Sequence, residues 1–174
     1  MDDSFNCEIS FTFSEDLLED DSEVPRWFLS EEAQERIHFV LEILCENEVE
    51  LNIRFCKEDE MAQTNGHFRG KQKPTDVLSF PPPPTPMMMG SEDEDEKQPL
   101  GDILICLPIC QKQAAEYNHT LSQEVERMVV HGIVHLKGLD HERSESALKV
   151  QEGLELLLHK ELQSHFDSPQ WVKI

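Results

Sequence analysis

Basic residues are scarce in this chain: 15 Lys and Arg stand against 36 Asp and Glu, a formal net charge of −21 over 174 residues. So acidic a balance argues against a surface coated by nucleic acid. The deficit is local, however. Residues 1–24 hold nine acids and no Lys or Arg, and Glu92-Asp93-Glu94-Asp95-Glu96 adds five more. Elsewhere 22 acids face 15 bases, and Arg69, Lys71 and Lys73 form the one cationic cluster. Long apolar runs are missing, which excludes a bilayer-spanning helix. Paired cysteines are missing too. The five (Cys7, Cys45, Cys56, Cys106, Cys110) are odd in number and contain no C-x2-C, so reduced, buried or half-buried thiols are expected rather than disulfides or a thiolate metal site. The opening Met1-Asp2-Asp3-Ser4 has neither the basic and apolar regions of a signal peptide nor the arginines of a transit peptide. A cytoplasmic protein of one domain, residues 1–174, is the expectation.

What is present reads as alternating strands and helices. Phe5 to Phe13 and Val49 to Phe55 alternate apolar and polar residues, the period of half-buried strands. Between them Ala33, Ile37, Val40, Leu41 and Leu44 make one helical face from about Ser30 to Glu46, with His38 off the stripe and expected in solvent. Residues 14–27 are acidic and expected to form a loop. A short helix is expected from Lys57 to Gln63, ending before Gly66, then a loop to Pro74 and strands over Thr75–Phe80 and Gly101–Leu107. Residues 82–99, with a proline run, Met87-Met88-Met89 and the acidic run, have the composition of a solvated, mobile loop. Thioethers suit copper(I) better than zinc, so the methionines are not expected to bind the latter. Pro108 to Asn118 reads as a helix. A last helix, capped by Ser144, is expected to turn Val150, Leu154, Leu157, Leu158 and Leu162 inward.

Chemistry concentrates in His131-Gly132-Ile133-Val134-His135-Leu136-Lys137-Gly138-Leu139-Asp140-His141. A Thr120-x-x-Gln123 capping box opens a helix on which Val125, Met128, Val129 and Ile133 recur at helical spacing. Histidines four apart then share a face, and their imidazoles reach one ion. Gly138 is placed to end the helix in the left-handed conformation and return His141 to the same point. Three nitrogen ligands with a fourth position open describe a catalytic zinc site rather than a structural one. The alternative is three unrelated polar histidines; the helix and its glycine stop favour the metal. A fourth protein ligand, His67 being the first candidate, would instead mark a structural zinc.

The spacing resembles the zinc motif of the metzincin proteases, but Gly132 stands where they carry the Glu that serves as general base. A glycine inside a helix costs about 1 kcal/mol relative to alanine, so it needs a reason, of which close approach of another backbone or of a substrate is one; a protease of that type is disfavoured.

Taken with Phe68-Arg69-Gly70-Lys71, Lys73-Pro74-Thr75-Asp76-Val77-Leu78-Ser79-Phe80-Pro81 and Gly101-Asp102-Ile103, the histidine segment resembles the YbeY family of bacterial and organellar zinc-dependent endoribonucleases. The similarity spans roughly Leu51 to Leu158. Leu139 departs from the family's usual Tyr, and the acidic 82–99 loop is unusually long. The resemblance implies a compact α+β domain with a mixed sheet of about four strands in a zincin-like layout. It implies one zinc per chain, held by His131, His135 and His141, and an active-site role for Arg69. The implied substrate is single-stranded ribosomal RNA precursor, notably the 3′ end of the small-subunit RNA, with a part in ribosome quality control.

An arginine fork can hold a scissile phosphate through two parallel hydrogen bonds. The alternative for Arg69 is a surface ion pair. Asp140, beside the third histidine, either orients a ligand or caps the last helix, and Asp76 is a weaker candidate still. Two other readings of the whole chain stand beside the nuclease. One is a zincin-like metal hydrolase of another substrate. The other is a zinc-binding ribosome-assembly factor without catalysis, contacting ribosomal proteins. Neither involves a membrane.

Overall fold

The computed structural model describes residues 7–18, 28, 30–44, 46, 48–83, 97–138 and 145–166. Their elements are β1 (Glu8–Phe13), α1 (Glu15–Leu18), α2 (Glu31–Ile43), β2 (Val49–Cys56), α3 (Glu58–Arg69), β3 (Val77–Phe80), β4 (Gln98–Cys106), α4 (Leu107–Tyr117), α5 (Leu121–Leu136) and α6 (Glu145–His165). The strands form one mixed sheet in the order β1-β2-β4-β3. β1, β2 and β4 run parallel, and β3 lies antiparallel at the edge with Val77 opposite Ile105 and Phe80 opposite Asp102. This is the α+β arrangement with four strands that the sequence implied.

Strand alternation divides the core. On one face Leu51, Ile53, Phe55, Ile103 and Ile105 pack with Ala33, Ile37, Val40 and Leu41 of α2, Val125, Val129 and Ile133 of α5, and Leu158 and Leu162 of α6. The alternate residues Cys56, Leu78, Leu104 and Cys106 face the other way and are covered by Met61 of α3. Helices α5 and α3 therefore lie on opposite faces, with edge strand β3 between them.

Several elements differ from the sequence expectation. A single helical turn, α1, interrupts the expected 14–27 loop and buries Leu17. Helix α3 runs through Gly66 and stops only at Gly70, whose φ of 68° supplies the left-handed turn. Gly66 serves the returning chain instead: a Cβ there would lie 3.0 Å from Cγ of Gln72. Buried Asn65 fastens that return by donating Nδ2 to the carbonyl of Lys73 at 2.7 Å. Strand β4 begins at Gln98, so Gln98 and Pro99 belong to the sheet rather than to the loop. His38 is half-buried, and burial lowers its imidazole pKa. On α6, Val150 and Leu157 are 56% and 47% exposed while Gln151 and His159 are buried. The inward face of this helix is partly polar, for a reason that appears at the site. Cys7, Cys56, Cys106 and Cys110 are free, buried thiols, as expected. Cys45, residues 84–96 with Met87–Met89, and Ser144 lie outside the described residues.

Candidate functional site

Helix α5 starts as its capping box dictates. Gln123 N donates to Oγ1 of Thr120 at 3.2 Å, and Thr120 N donates to Oε1 of Gln123 at 2.8 Å. Sixteen residues later the helix ends, and Gly138 takes φ 78° with its N–H on the carbonyl of His135 at 2.9 Å. His131 and His135 stand in the last turns on one face, ring centroids 4.5 Å apart and planes at 67°. The partial negative charge of a helix C-terminus favours a cation beside them.

Gly132, between the histidines, has a packing reason. A Cβ there would fall 2.8 Å from Cδ1 of Ile103 and 3.1 Å from its Cγ2. The missing side chain lets α5 settle onto β4, and the Gly132 carbonyl accepts a hydrogen bond from Oγ of Ser79 at 3.3 Å. No room exists for the metzincin Glu.

Two residues that the sequence pattern missed complete this corner. Glu155 places Oε1 2.9 Å from Nδ1 of His131. Gln151, 2% exposed, donates Nε2 to the same carboxylate at 2.7 Å and lies 3.3 Å from Nδ1 of His131 and 3.4 Å from Nε2 of His135. Burial pushes the Glu155 carboxyl up, but the bonds to His131 and Gln151 outweigh it and hold the pKa below the ordinary value. A carboxylate on Nδ1 fixes the proton there and leaves the lone pair on Nε2, which is how metal-binding histidines are commonly arranged. The findable signal was Gln151-x3-Glu155-x3-His159, a polar stripe at helical spacing inside an otherwise leucine-rich helix.

Three of the remaining predicted residues are described: Arg69, His67 and Asp76. Arg69 is the last residue of α3 and is exposed. His67, also on α3, is exposed and packs edge-on against Phe68 at 5.0 Å. Asp76 is structural: it accepts bonds from Thr75 Oγ1 at 3.0 Å, Val77 N at 2.9 Å and Gln113 Nε2 at 2.9 Å. Although burial raises its pKa, those donors bring it below the usual range. His141 and Asp140 lie outside the described residues. Among the described residues no group of three or more His, Cys, Asp or Glu is placed to hold a metal; they supply two imidazoles on one face, a donor set that suits a zinc completed by a third ligand. No helix among them is long and apolar enough to cross a membrane.

Comparison with known proteins agrees with this layout. A family model described as endoribonuclease YbeY matches residues 17–161. An endoribonuclease YbeY of Persephonella marina is 37% identical over 140 residues, covering 77% of this chain and 84% of that protein. One from Clostridioides difficile is 33% identical over 154 residues, covering 83% and 95%. The solution structure of the Thermotoga maritima protein TM1509 superposes with a TM-score of 0.53 at 26% identity, over 90% of this chain and 93% of that one.

Proposed function

Because the chain belongs to the YbeY endoribonuclease family, we propose that it hydrolyses single-stranded RNA with the aid of one zinc ion, in the maturation of ribosomal RNA. The reading includes the 3′ end of the small-subunit RNA and ribosome quality control as its setting, the cytoplasm as its location, and one domain spanning the chain. The observation that carries it is the paired imidazoles of His131 and His135 with the Glu155 carboxylate on Nδ1 of the first. His131, His135 and His141 are the residues that would hold the metal. Bound there, zinc supplies Lewis acidity toward water and toward a phosphoryl oxygen at neutral pH.

The chain's own residues do the rest. Glu155 keeps the His131 proton on Nδ1, which leaves the lone pair on Nε2 to face a metal. Gln151 holds Glu155 in place from within the same helix. Arg69, at the end of α3, offers two parallel N–H donors to the non-bridging oxygens of a phosphodiester and compensates charge that builds there.

Two variants test the assignment together. Arg69→Glu turns a donor fork into a repelling carboxylate; it should lower RNA cleavage by at least about 10²–10³ while fold and zinc content stay as in wild type. His131→Ala should be inactive and zinc-poor. Cleavage by Arg69→Glu at the wild-type rate would remove Arg69 from the site.

The net charge of −21 favours a second reading, a ribosome-assembly factor that binds basic ribosomal proteins and does not cut RNA. Zinc-dependent cleavage by the purified chain separates the two.

A further inference from the structure

Phe68 is 64% exposed, an unusual position for a phenylalanine whose neighbours on α3 have a core to reach. Its ring rests on Phe80 of β3, centroids 4.8 Å apart and planes at 56°. Phe80 in turn packs against the small cluster beneath α3, so one ring is anchored and the other presents its outer face. The next residues are Arg69, Lys71 and Lys73, all exposed, three cations within five positions of a chain whose net charge is −21. The backbone of β3 at Phe80 runs beside the histidine helix. Its neighbour Ser79 bonds to the Gly132 carbonyl beside His131, and the Phe80 carbonyl and the Leu136 side chain both border the space left open by Gly101.

Resting on the endoribonuclease reading, we propose that Phe68, braced by Phe80, is the stacking platform for one unpaired base of the RNA, next to the phosphate gripped by Arg69. An aromatic face beside a cationic run matches a polyanion that carries planar bases, and every base has a π-face to offer. A base inside a duplex has both faces covered by its neighbours and its backbone held in A-form, so this platform accepts only a strand that can splay. It makes Phe68 a determinant of single-strand selectivity separate from the histidines.

The test uses the full chain and a 2′-O-methyl RNA single strand, which binds without being cut, followed by fluorescence anisotropy, with the matching duplex alongside. Phe68→Leu should weaken single-strand binding about tenfold and leave duplex binding unchanged. Phe68→Trp should restore it, and the new indole emission should be quenched by the RNA. An abasic nucleotide stepped along the strand should weaken wild-type binding at one position and cost Phe68→Leu nothing further there. The melting temperature of Phe68→Leu should match that of wild type, since the ring is exposed. If wild type binds the strand and Phe68→Leu binds it equally well, or loses strand and duplex alike, the platform is overturned while the nuclease reading stands. If wild type binds no RNA, both fall.

Discussion

Arg36 and Arg69 lie on opposite faces of the sheet and lead opposite lives. Arg36 on α2 is 5% exposed; its guanidinium is clamped by the Glu126 carboxylate of α5 through Nε and, at 3.1 Å, Nη2, and sits 4.7 Å from the Phe166 ring. Arg69 closes α3 and is exposed, as are Lys71 and Lys73. In the first region, where α5 meets α2 and α6, polar groups are buried or half-buried and paired, which restricts their geometry: Arg36 with Glu126, Arg127 with Glu124, His131 with Glu155. The second, α3 with β3, displays cations and an aromatic ring outward. A metal site needs the first kind of environment, because ligands must be held at fixed angles before the ion arrives. A phosphate backbone needs the second, because long-range attraction and adaptable side chains serve a flexible polymer.

The largest effect expected from breaking this contrast lies in the buried pair. Glu126→Ala leaves the Arg36 charge buried without its carboxylate and should cost about 3–5 kcal/mol in urea unfolding. Lys112→Ala, which breaks the exposed pair with Glu58 of α3, should leave stability nearly unchanged. Comparable losses from the two would erase the distinction between regions.

Next comes His159, which burial pushes down to about 4 from its ordinary 6.5. As pH falls through that window the unfolded chain takes up a proton that the folded one refuses. Its contribution is therefore complete above the ordinary pKa and is lost as pH falls towards the folded value, about 3 kcal/mol in all. Stability measured against pH should show this slope in wild type and lose it in His159→Gln; an unchanged slope would place the titrating group elsewhere.

Smaller still is Glu155→Gln. Removing the carboxylate from Nδ1 of His131 should weaken zinc affinity about 10–100-fold in competition with a chromophoric chelator, at little cost in folding. Wild-type affinity in this variant would reduce the contact to ordinary packing between α5 and α6.

How much of this was legible in the sequence follows from range. The capping box, the His131–His135 spacing and the Gly138 stop are local signals, and each appears where the residues put it. The alternation in Val49–Phe55 likewise marks β2 directly. Gly66 misled because a glycine in a helix reads as a stop, while here it clears space for Gln72 from a loop the helix has yet to reach. α6 misled in a different way. Its leucines suggested an inward stripe through Val150 and Leu157, but the helix is rotated to bring Gln151, Glu155 and His159 against α5. That rotation answers to a partner histidine 24 residues away, and the Arg36–Glu126 pair spans 90. Periodicity within one helix carries no such information.

The most direct test of the central claim is metal content and cleavage of ribosomal RNA precursor by the purified full chain, before and after chelation. The expected result is about one zinc per chain, cleavage that disappears on chelation and returns with added zinc. Unchanged cleavage by the stripped protein would contradict a metal role for His131 and His135, and a zinc-loaded protein that leaves the precursor intact would contradict the nuclease itself.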